Sequence, residues 1–506
     1  MKPKNVLFIM SDDHAANAVS LYGSRLSEVM ETPNIDGIGK DGAWLENCCC
    51  TNAVCTPSRA TILTGQYSHA NGVKTLFDSL PDTAVTFPEL FAKAGYETAV
   101  IGKWHLHSRP QGFCHFDVLG YPWQQGKYFD PQFLDENADW EGALKPGVAD
   151  RTYFGKEVRG YVTDIIADKA IRWLDERDRT KPFLLLCHHK APHDEFEYHP
   201  RYRHLLDGVT IPEPESLYED KSERSPGSAG FGITISEANK RRNMVETMSR
   251  PDYPTGPLLT EGLDEGERMR AAYQKYLKDY LRTVKGLDDS VGRLIARLKR
   301  EGIYDDTIIV YTSDQGMLLG EHDYSDKRWI FEESMRMPFL LRVPGEVTGG
   351  RKVEELVSNV DFAPTLLDLA GIPVPAHMQG RSFRPLLSGK TPEGWQEEIY
   401  YRYWLHMTHC DTPAHYGLRT ADKKLVFYYG LPLDASGALP DPTPQGWELY
   451  DLKKDPFEMH NVYGRPEYAE TQRELKRRLF RIKREIGDDD ARYGELAKIA
   501  EKEGIC

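Results

Sequence analysis

Long hydrophobic runs, closely paired cysteines and an excess of basic residues are all missing from this sequence. No apolar stretch approaches the roughly 20 residues that a membrane-spanning helix needs, so we expect no membrane span. The eight cysteines include no Cys-x-x-Cys pair, which argues against a structural zinc site and favours mostly free thiols, as in a reducing compartment. The formal net charge of -14 argues against a nucleic-acid partner.

The amino terminus also lacks the features of a secretory signal. Met1–Met10 contains a short apolar run that Ser11 ends, and no small-residue cleavage site follows. We expect a cytoplasmic location, or a periplasmic or secreted one if a signal peptide was removed. The remaining composition, 40% hydrophobic and 28% charged over 506 residues, is that of a soluble globular protein, and an oligomer is compatible with it.

Short apolar segments alternate with amphipathic ones over the first two-thirds of the chain, which is typical of a parallel α/β sheet. Helices are predicted at Thr86–Ala94, Val162–Leu174 and Tyr273–Leu298. The apolar segments lack alternation, so they predict strands covered on both faces of a large mixed, mainly parallel sheet flanked by helices. The predicted strands are Val6–Met10, Thr98–Ile101, Phe183–His188, Thr307–Thr312 and Phe339–Val343.

The pattern changes in two later regions. Residues from about 213 to 263 are polar and rich in Ser, Gly and Pro, which predicts a long loop or lid. From about residue 375 the sequence predicts short antiparallel strands and a charged helix near Tyr468–Ile486. We therefore predict an α/β domain over 1–374 and a smaller C-terminal α+β subdomain over 375–506. The strands predicted there are Glu398–Tyr403, Tyr416–Thr420, Lys424–Tyr429 and Trp447–Asp451.

Acidic residues come directly after two of the predicted strands. Asp12 and Asp13 follow the first, and Asp314 with Gln315 follows Thr307–Thr312. Because the carboxyl ends of parallel strands meet at one edge, these side chains should lie together. Three carboxylates and an amide oxygen suit Ca²⁺ or Mg²⁺ better than zinc. Either pair alone is more typical of helix caps and turns; both together, in a chain that also contains the string at Cys55, favour a metal site.

Basic residues collect near the same strand ends. Each one alone is compatible with a solvated lysine or a structural histidine. In an acidic chain, however, such a local cluster indicates an anionic substrate. Its members are Arg59, Lys103, His105, His193, Lys327 and Arg328.

Cys55 begins the string Cys-Thr-Pro-Ser-Arg-Ala-Thr-Ile-Leu-Thr-Gly. A cysteine alone is most often a small buried hydrophobe, and a thiolate nucleophile activated by Arg59 is a second interpretation. The whole string instead resembles the type I, formylglycine-dependent sulfatases of the alkaline phosphatase superfamily. Further strings with this resemblance, in the family's order, are Ser11-Asp-Asp-His, Thr32-Pro-Asn-Ile-Asp, Gly102-Lys-Trp-His, Lys190-Ala-Pro-His, Thr312-Ser-Asp-Gln-Gly, Gly320-Glu-His, Asp326-Lys and Val360-Asp-Phe-Ala-Pro-Thr.

The resemblance implies an alkaline-phosphatase-like fold, with 1–374 as the catalytic domain, and hydrolysis of a sulfate monoester. It implies that a formylglycine-generating enzyme or an anaerobic maturase oxidises Cys55 to Cα-formylglycine, whose hydrate is the nucleophile. Gln315 stands where many relatives carry asparagine. The implied ligands of a Ca²⁺ ion, or alternatively Mg²⁺, are Asp12, Asp13, Cys55, Asp314 and Gln315.

The resemblance also implies catalytic roles for five further residues. Arg59 would support the nucleophile. Lys103 and Lys327 would bind sulfate oxygens, with Lys327 or His193 beside the leaving oxygen. His105 would take a proton from the second hydroxyl of the hydrate and so release sulfate.

Substrate choice depends on loops and on the C-terminal subdomain in this family. Aromatic, His and Arg side chains around 401–406 and 415–419 suit a sugar, although a packed strand edge explains them equally well. The strings resemble bacterial glycan sulfatases of the N-acetylglucosamine-6-sulfatase type, which predicts a small-molecule or oligosaccharide sulfate ester from glycosaminoglycan or mucin. The alternatives are a phosphoester or phosphonate monoester hydrolase, an arylsulfatase, or an inactive glycan-binding relative. The candidate substrate-binding residues are Arg328, His406, His415 and Arg419.

Overall fold

The computed structural model describes residues 4–140, 155–347 and 349–502. Strands of the first two-thirds alternate with helices, as predicted. In chain order they are β1 Asn5–Ser11, β2 Ala43–Cys49, β3 Glu97–Gly102, β4 His115–Leu119, β5 Gln132–Leu134, β6 Lys156–Glu157, β7 Phe183–His188, β8 Thr307–Ser313, β9 Leu318–Leu319, β10 Ser325–Asp326, β11 Phe339–Arg342 and β12 Arg351–Ser358.

Ten of these strands form one sheet in the order β12-β2-β11-β8-β1-β7-β3-β4-β5-β6. The central strands β8, β1, β7, β3 and β4 are parallel neighbours, and so are β12 and β2. β11 pairs antiparallel with β2 and with β8, and β5 pairs antiparallel with β4 and with β6. The sheet is therefore mixed and mainly parallel, which confirms the predicted fold class.

Helices cover both faces of this sheet. Alternate residues of β1 belong to two different cores: Val6 and Phe8 face one, and Leu7 and Ile9 face the other. Two-sided burial explains why the central strands are apolar without alternation. In chain order the helices are α1 Pro33–Lys40, α2 Cys55–Thr64, α3 Ser68–Asn71, α4 Phe87–Lys93, α5 Val162–Glu176, α6 Met244–Met248, α7 Glu265–Glu301, α8 Glu332–Met335, α9 Phe362–Leu369, α10 Arg384–Leu387, α11 Ala469–Ile486 and α12 Gly494–Lys502.

The long helix α7 has sequence signals at both ends. Asp264 caps its first turn in a reciprocal capping box with Glu267, and Gly302 ends it in the left-handed conformation with φ 74°. Its apolar face, including Leu287 and Val291, packs into the same core as α5. The predicted helix Tyr273–Leu298 is thus confirmed and extended at both ends.

Residues 213–263, which we call the lid segment, are mostly irregular, as predicted. They contain short 3₁₀ turns and the five-residue helix α6. The segment is nevertheless anchored, because Leu217, Ile235 and Met248 are buried in a core that they share with α7. These buried side chains anchor the segment against α7.

The C-terminal region forms a second, four-stranded antiparallel sheet, as predicted. Its strands, in both chain and spatial order, are β13 Glu398–Tyr403, β14 His415–Thr420, β15 Lys423–Tyr428 and β16 Gly446–Asp451. α11 packs on it through Leu475 and Leu479. The boundary near residue 375 remains a prediction.

Two expectations from composition can be compared with the described residues. None of their helices combines the length and the apolar character needed to cross a bilayer. Seven cysteines are free thiols, and all of these except Cys114 are buried. Cys506 lies outside the described residues.

Candidate active site

The predicted metal-ligand residues meet where β1 and β8 end. These strands run parallel in register, with Ser11 opposite Ser313. The backbone N–H of Asp13 donates to Asp314 Oδ1 over 3.2 Å. Asp12, Asp13, Asp314 and Gln315 are all fully buried there.

Cys55 joins this group from the first turn of α2. Its Sγ lies 3.4 Å from Asp12 Oδ1 and 3.5 Å from Gln315 Nε2. All ten residues of α2 are buried, so the helix start is fixed against the sheet edge. Burial and the Asp12 carboxylate raise the pKa of the Cys55 thiol, and the nearby charges of Lys103 and Lys327 do not reverse the shift. This argues against an activated thiolate nucleophile.

Two lysines neutralise the first carboxylate pair. Lys103 Nζ donates to Asp12 and also lies 3.2 Å from Gln125 Oε1. Lys327 Nζ lies 2.5 Å from Asp13 Oδ2. Burial alone would raise the pKa of Asp12, but the neighbouring cations, with Lys103 foremost, hold it well below its usual range.

A glycine lets Lys103 reach this position. β3 ends at Gly102 with φ 105°, and a Cβ atom there would lie 1.9 Å from the carbonyl oxygen of His188. That carbonyl also accepts the backbone N–H of Lys103 over 2.8 Å. Only glycine fits such a close approach of two strand ends.

Arg59 holds the third carboxylate. Its Nε donates to Asp314 Oδ2 over 2.9 Å, and its Nη1 donates to the Lys103 carbonyl over 2.9 Å. Burial and the charge of Asp12 nevertheless raise the pKa of Asp314 to about 7, against the effect of Arg59. Carboxylates crowded into a buried site in this way are typical of cation binding.

The donor set fits a divalent cation. Ligand atoms of Asp12, Asp13, Cys55 and His193 all lie within 4.8 Å of one another. Gln315 Oε1 is buried and has no hydrogen-bond partner among the described residues, while its Nε2 donates to Asp13. Carboxylate and amide oxygens match the preference of Ca²⁺ and Mg²⁺.

Two histidines flank the cluster. His105 is buried, and its Nδ1 lacks a partner within the described parts of the chain. Burial, with a smaller effect from Lys103, lowers its pKa well below the usual value, so its imidazole is neutral and can accept a proton. His193 is half-buried; its Nδ1 lies 2.5 Å from Asp194 Oδ1 and its Nε2 lies 3.7 Å from Asp13 Oδ2.

A cavity of about 440 Å³ opens onto this cluster. Part of its lining is aromatic: the Phe77 ring stacks on His409 with centroids 5.8 Å apart, and Trp123 meets Phe77 edge-on at 6.1 Å. The predicted site residues that line it are Cys55, His105, His193, Lys327 and Arg328.

The lid segment lines the other side of the cavity. The sequence predicts a lid here, but the pattern does not single out which of its side chains face the site. The arginines of this polar loop are the sequence signal that could have indicated the side chains that line the cavity. The lid residues in the lining are Ile233, Arg242, Met244, Thr247, Arg250 and Tyr253.

Three of the four candidate substrate-binding residues lie elsewhere. His406 and His415 are fully buried, and His415 stacks between Trp329 and Tyr401 in the packed C-terminal sheet. Arg419 forms an ion pair with Glu332, 3.1 Å away, and faces a different cavity.

His415 and Arg419 lie in β14, whereas His406 lies in the loop just after β13, with its Nε2 3.0 Å from the carbonyl oxygen of Asp441. None of the three lines the Cys55 cavity, and contact with a substrate there is not expected. β13 and β14 pair along their whole length, and every residue of β14 is buried. The loop between these strands reaches the cavity instead, through His409 and Cys410.

Comparison with known proteins agrees with this geometry. The family described as "Sulfatase" matches residues 4–372, and the family described as "N-sulphoglucosamine sulphohydrolase, C-terminal" matches residues 320–485. An N-acetylglucosamine-6-O-sulfatase of Bacteroides thetaiotaomicron is 38% identical, over 97% of this chain and 88% of that protein.

Solved structures are also similar to this chain over nearly its whole length. One, of a protein in complex with its substrate D-glucosamine-2-N,6-O-disulfate, is 36% identical with a TM-score of 0.83 and covers 97% of this chain and 99% of the other. A phosphonate monoester hydrolase from Silicibacter pomeroyi shares the fold at 24% identity and a TM-score of 0.71, over 95% of each chain. With its Cys55 string, its acidic cluster and a family match over most of its length, this chain belongs to the sulfatase family.

Proposed function

We propose that this sulfatase removes the 6-O-sulfate from a glucosamine-type sugar of glycosaminoglycan or mucin origin. The observation that carries the proposal is the 38% identity to an N-acetylglucosamine-6-O-sulfatase over 97% of this chain. The size of the cavity, about 440 Å³, and its aromatic lining suit a saccharide.

In this proposal residue 55 acts as Cα-formylglycine, made by a formylglycine-generating enzyme or an anaerobic maturase. The raised pKa of the unmodified thiol supports it, because a neutral thiol is a poor nucleophile. Asp12, Asp13, Asp314 and Gln315 would hold a Ca²⁺ or Mg²⁺ ion together with residue 55. When bound, such an ion supplies Lewis acidity that favours a deprotonated nucleophile and neutralises sulfate charge.

The buried cations would position the sulfate group. Lys327 lines the cavity, and Lys103 lies directly behind it against Asp12. Arg59, held by Asp314 and the Lys103 carbonyl, would keep the start of α2 in place. In this buried site the charges act with little solvent screening, so their effect on a developing sulfate charge is large.

The two histidines would move protons. His193 reaches the cavity, and Asp194 orients its ring, which suits a general acid beside the leaving sugar oxygen. His105 is neutral and unpartnered at Nδ1 among the described residues, which suits a base for sulfate release. Each such proton transfer typically contributes on the order of 10²–10⁴ in rate.

The proposal is tested with a panel of esters on protein coexpressed with a formylglycine-generating enzyme. We expect N-acetylglucosamine 6-sulfate to be hydrolysed with a kcat/KM at least about 100-fold above those of the 3-sulfate, an aryl phosphate and a phosphonate monoester, because the cavity must match both sugar and sulfate. Preference for the phosphonate would instead support the phosphonate hydrolase alternative, and preference for a simple aryl sulfate would remove the saccharide assignment.

A pair of arginine variants tests where the substrate binds. Arg328 lines the cavity and is paired with Asp326, so Arg328→Gln should lower kcat/KM by about 10–100-fold through lost charge-assisted hydrogen bonds. Arg419→Met should leave KM unchanged but lower the free energy of unfolding by about 2 kcal/mol, because it removes the charge-assisted hydrogen bonds from Arg419 to Glu332, which keeps Lys424 as a partner. Steady-state kinetics and urea unfolding separate the two effects. A raised KM in Arg419→Met would restore that residue as a substrate ligand.

A further inference from the structure

The lining of the cavity that contains Cys55 includes one arginine that forms no ion pair with a carboxylate of that lining. Outside the proposed metal site, three carboxylates line it, and each has a basic side chain of the lining within ion-pair distance. The lining arginine that remains is Arg242, which forms no ion pair with the described residues. The pairs are His193–Asp194, Arg250–Glu195 and Arg328–Asp326, and Lys327 is occupied by Asp13.

The backbone that carries Arg242 is fixed although the side chain is exposed. Its carbonyl oxygen accepts the backbone N–H of Thr234 over 3.4 Å. Its neighbour Arg241 instead uses its guanidinium structurally, with Nη1 2.9 Å from Asp411 Oδ1. Asn239 Nδ2 reaches the other oxygen of Asp411 over 3.1 Å. This turn of the lid segment is thus tied to the 409–411 loop, and Arg242 is held at the cavity without an ion-pair partner in the described part of the chain.

The charge of Arg242 acts across the cavity. His409 lies on the aromatic side, and after burial the largest causes that lower its pKa are the charges of Arg328 and Arg242. A guanidinium presents several N–H donors in a planar fork, which matches two oxygens of one carboxylate or sulfate. In the proposed function the sulfate ester under hydrolysis lies at Cys55, beside the buried Lys327, which leaves Arg242 on the lid side of the cavity available for a different anionic group.

We infer that Arg242 binds a second anionic group of the substrate saccharide, separate from the sulfate that is hydrolysed. The inference rests on the proposed function, since it names the substrate class for the same cavity. Two sources offer this chemistry: a sulfate on the 2-amino group of the same sugar, and the carboxylate of a uronic acid joined to its anomeric carbon.

Three substrates and one variant test the inference. N-acetylglucosamine 6-sulfate is the reference; the other two are N-sulfated glucosamine 6-sulfate and the reference sugar carrying a uronic acid on its anomeric carbon. We expect Arg242→Gln to lower the kcat/KM of one of these two, relative to the reference, by about 10-fold, as for loss of one partly exposed charge-assisted contact. Whichever substrate responds identifies the source, and Arg242→Lys should lose less than Arg242→Gln.

The matched control is Lys240→Gln, which removes one exposed positive charge from the same turn outside the cavity lining. It should leave both relative rates unchanged. The inference is overturned if Arg242→Gln leaves both relative kcat/KM values unchanged, because the effect is then absent. It is also overturned if Lys240→Gln lowers them by the same factor, because the effect is then one of general charge.

A binding measurement separates this inference from the proposed function. In a Cys55→Ala background, which cannot turn substrate over, calorimetry should show tighter binding of the dianionic sugar than of the reference, and Arg242→Gln should abolish the difference. If the wild-type enzyme hydrolyses none of the three but this difference is found, the assigned reaction fails and the anion site stands. If the sugars are hydrolysed but the dianionic sugars and the reference bind with equal affinity, with or without Arg242, the proposed reaction stands and the anion site fails.

Discussion

Replacing Cys55 by alanine is expected to lower sulfate ester hydrolysis by at least about 10⁴-fold, since loss of a covalent nucleophile typically removes most of an enzyme's rate enhancement. The substitution deletes only a sulfur atom at the start of a fully buried helix, so the fold should persist. Protein made without a maturation enzyme should be equally inactive, because the unmodified thiol has a raised pKa. An aryl sulfate assay measures both losses.

Cys410→Ala is the matched control, because Cys410 is a second buried thiol that lines the same cavity. It should retain activity. Peptide mass spectrometry of active wild-type protein should show a loss of about 18 Da on the peptide that contains Cys55, the change from thiol to aldehyde. Activity in protein whose Cys55 is entirely unmodified would contradict the formylglycine assignment and restore the thiol as a candidate nucleophile.

Removal of divalent cations is expected to have the second largest effect. Three fully buried carboxylates meet here, and the pKa of Asp314 is raised to about 7 by burial and by Asp12. A bound cation relieves this repulsion, so Ca²⁺ at 100 times its dissociation constant should stabilise the fold by about 2.7 kcal/mol. Chelation should abolish hydrolysis, and added Ca²⁺ or Mg²⁺ should restore it. Thermal unfolding with and without the ion measures the stabilisation independently of activity.

A variant pair locates the cation. Asp13→Asn should lose the Ca²⁺-dependent rise in melting temperature, because Asp13 supplies one of the clustered ligand atoms. Asp164→Asn removes a carboxylate from a more exposed ion pair with Arg201 and should keep the rise. If both variants respond to Ca²⁺ as the wild type does, the cation binds elsewhere.

The central strands are predictable from sequence because both of their faces are buried. β7 has the predicted bounds, and β1, β3, β8 and β11 differ from theirs by a residue or two. The strands that the pattern does not predict lie toward the sheet margins, where one face is less covered. β12, for example, has exposed charged residues at its start, and β2 carries half-buried polar ones. Such strands do not form continuous apolar runs.

The site also has a part that the sequence predicts and a part that it does not. Residues attached directly to strand ends, such as Asp12, Asp314 and Lys103, come together because sheet topology dictates where strand ends meet. The surroundings of the cavity come from loops, and no sequence period states which loop residue turns inward. For that reason the sequence does not indicate His409 and Arg242. It does offer His415 as a candidate, although a packed strand edge explains that residue equally well, and the structure packs it between Trp329 and Tyr401.

The complete burial of α2 has a consequence for the order of events during synthesis of the protein. Every residue from Cys55 to Thr64 is covered by the surrounding fold, and Cys55 itself is 2% exposed. An enzyme that modifies Cys55 has to bind the chain on both sides of it, and in the finished fold the residues on both sides are buried. The proposed conversion of Cys55 to formylglycine would therefore have to precede the docking of α2. β8 and β11, which close the sheet edge beside this helix, are made about 250 residues later, and at typical translation rates of about 5–20 residues per second that leaves tens of seconds. If residue 55 is formylglycine, as proposed, the maturation enzyme would have to act before the second half of the sheet is synthesised and folds.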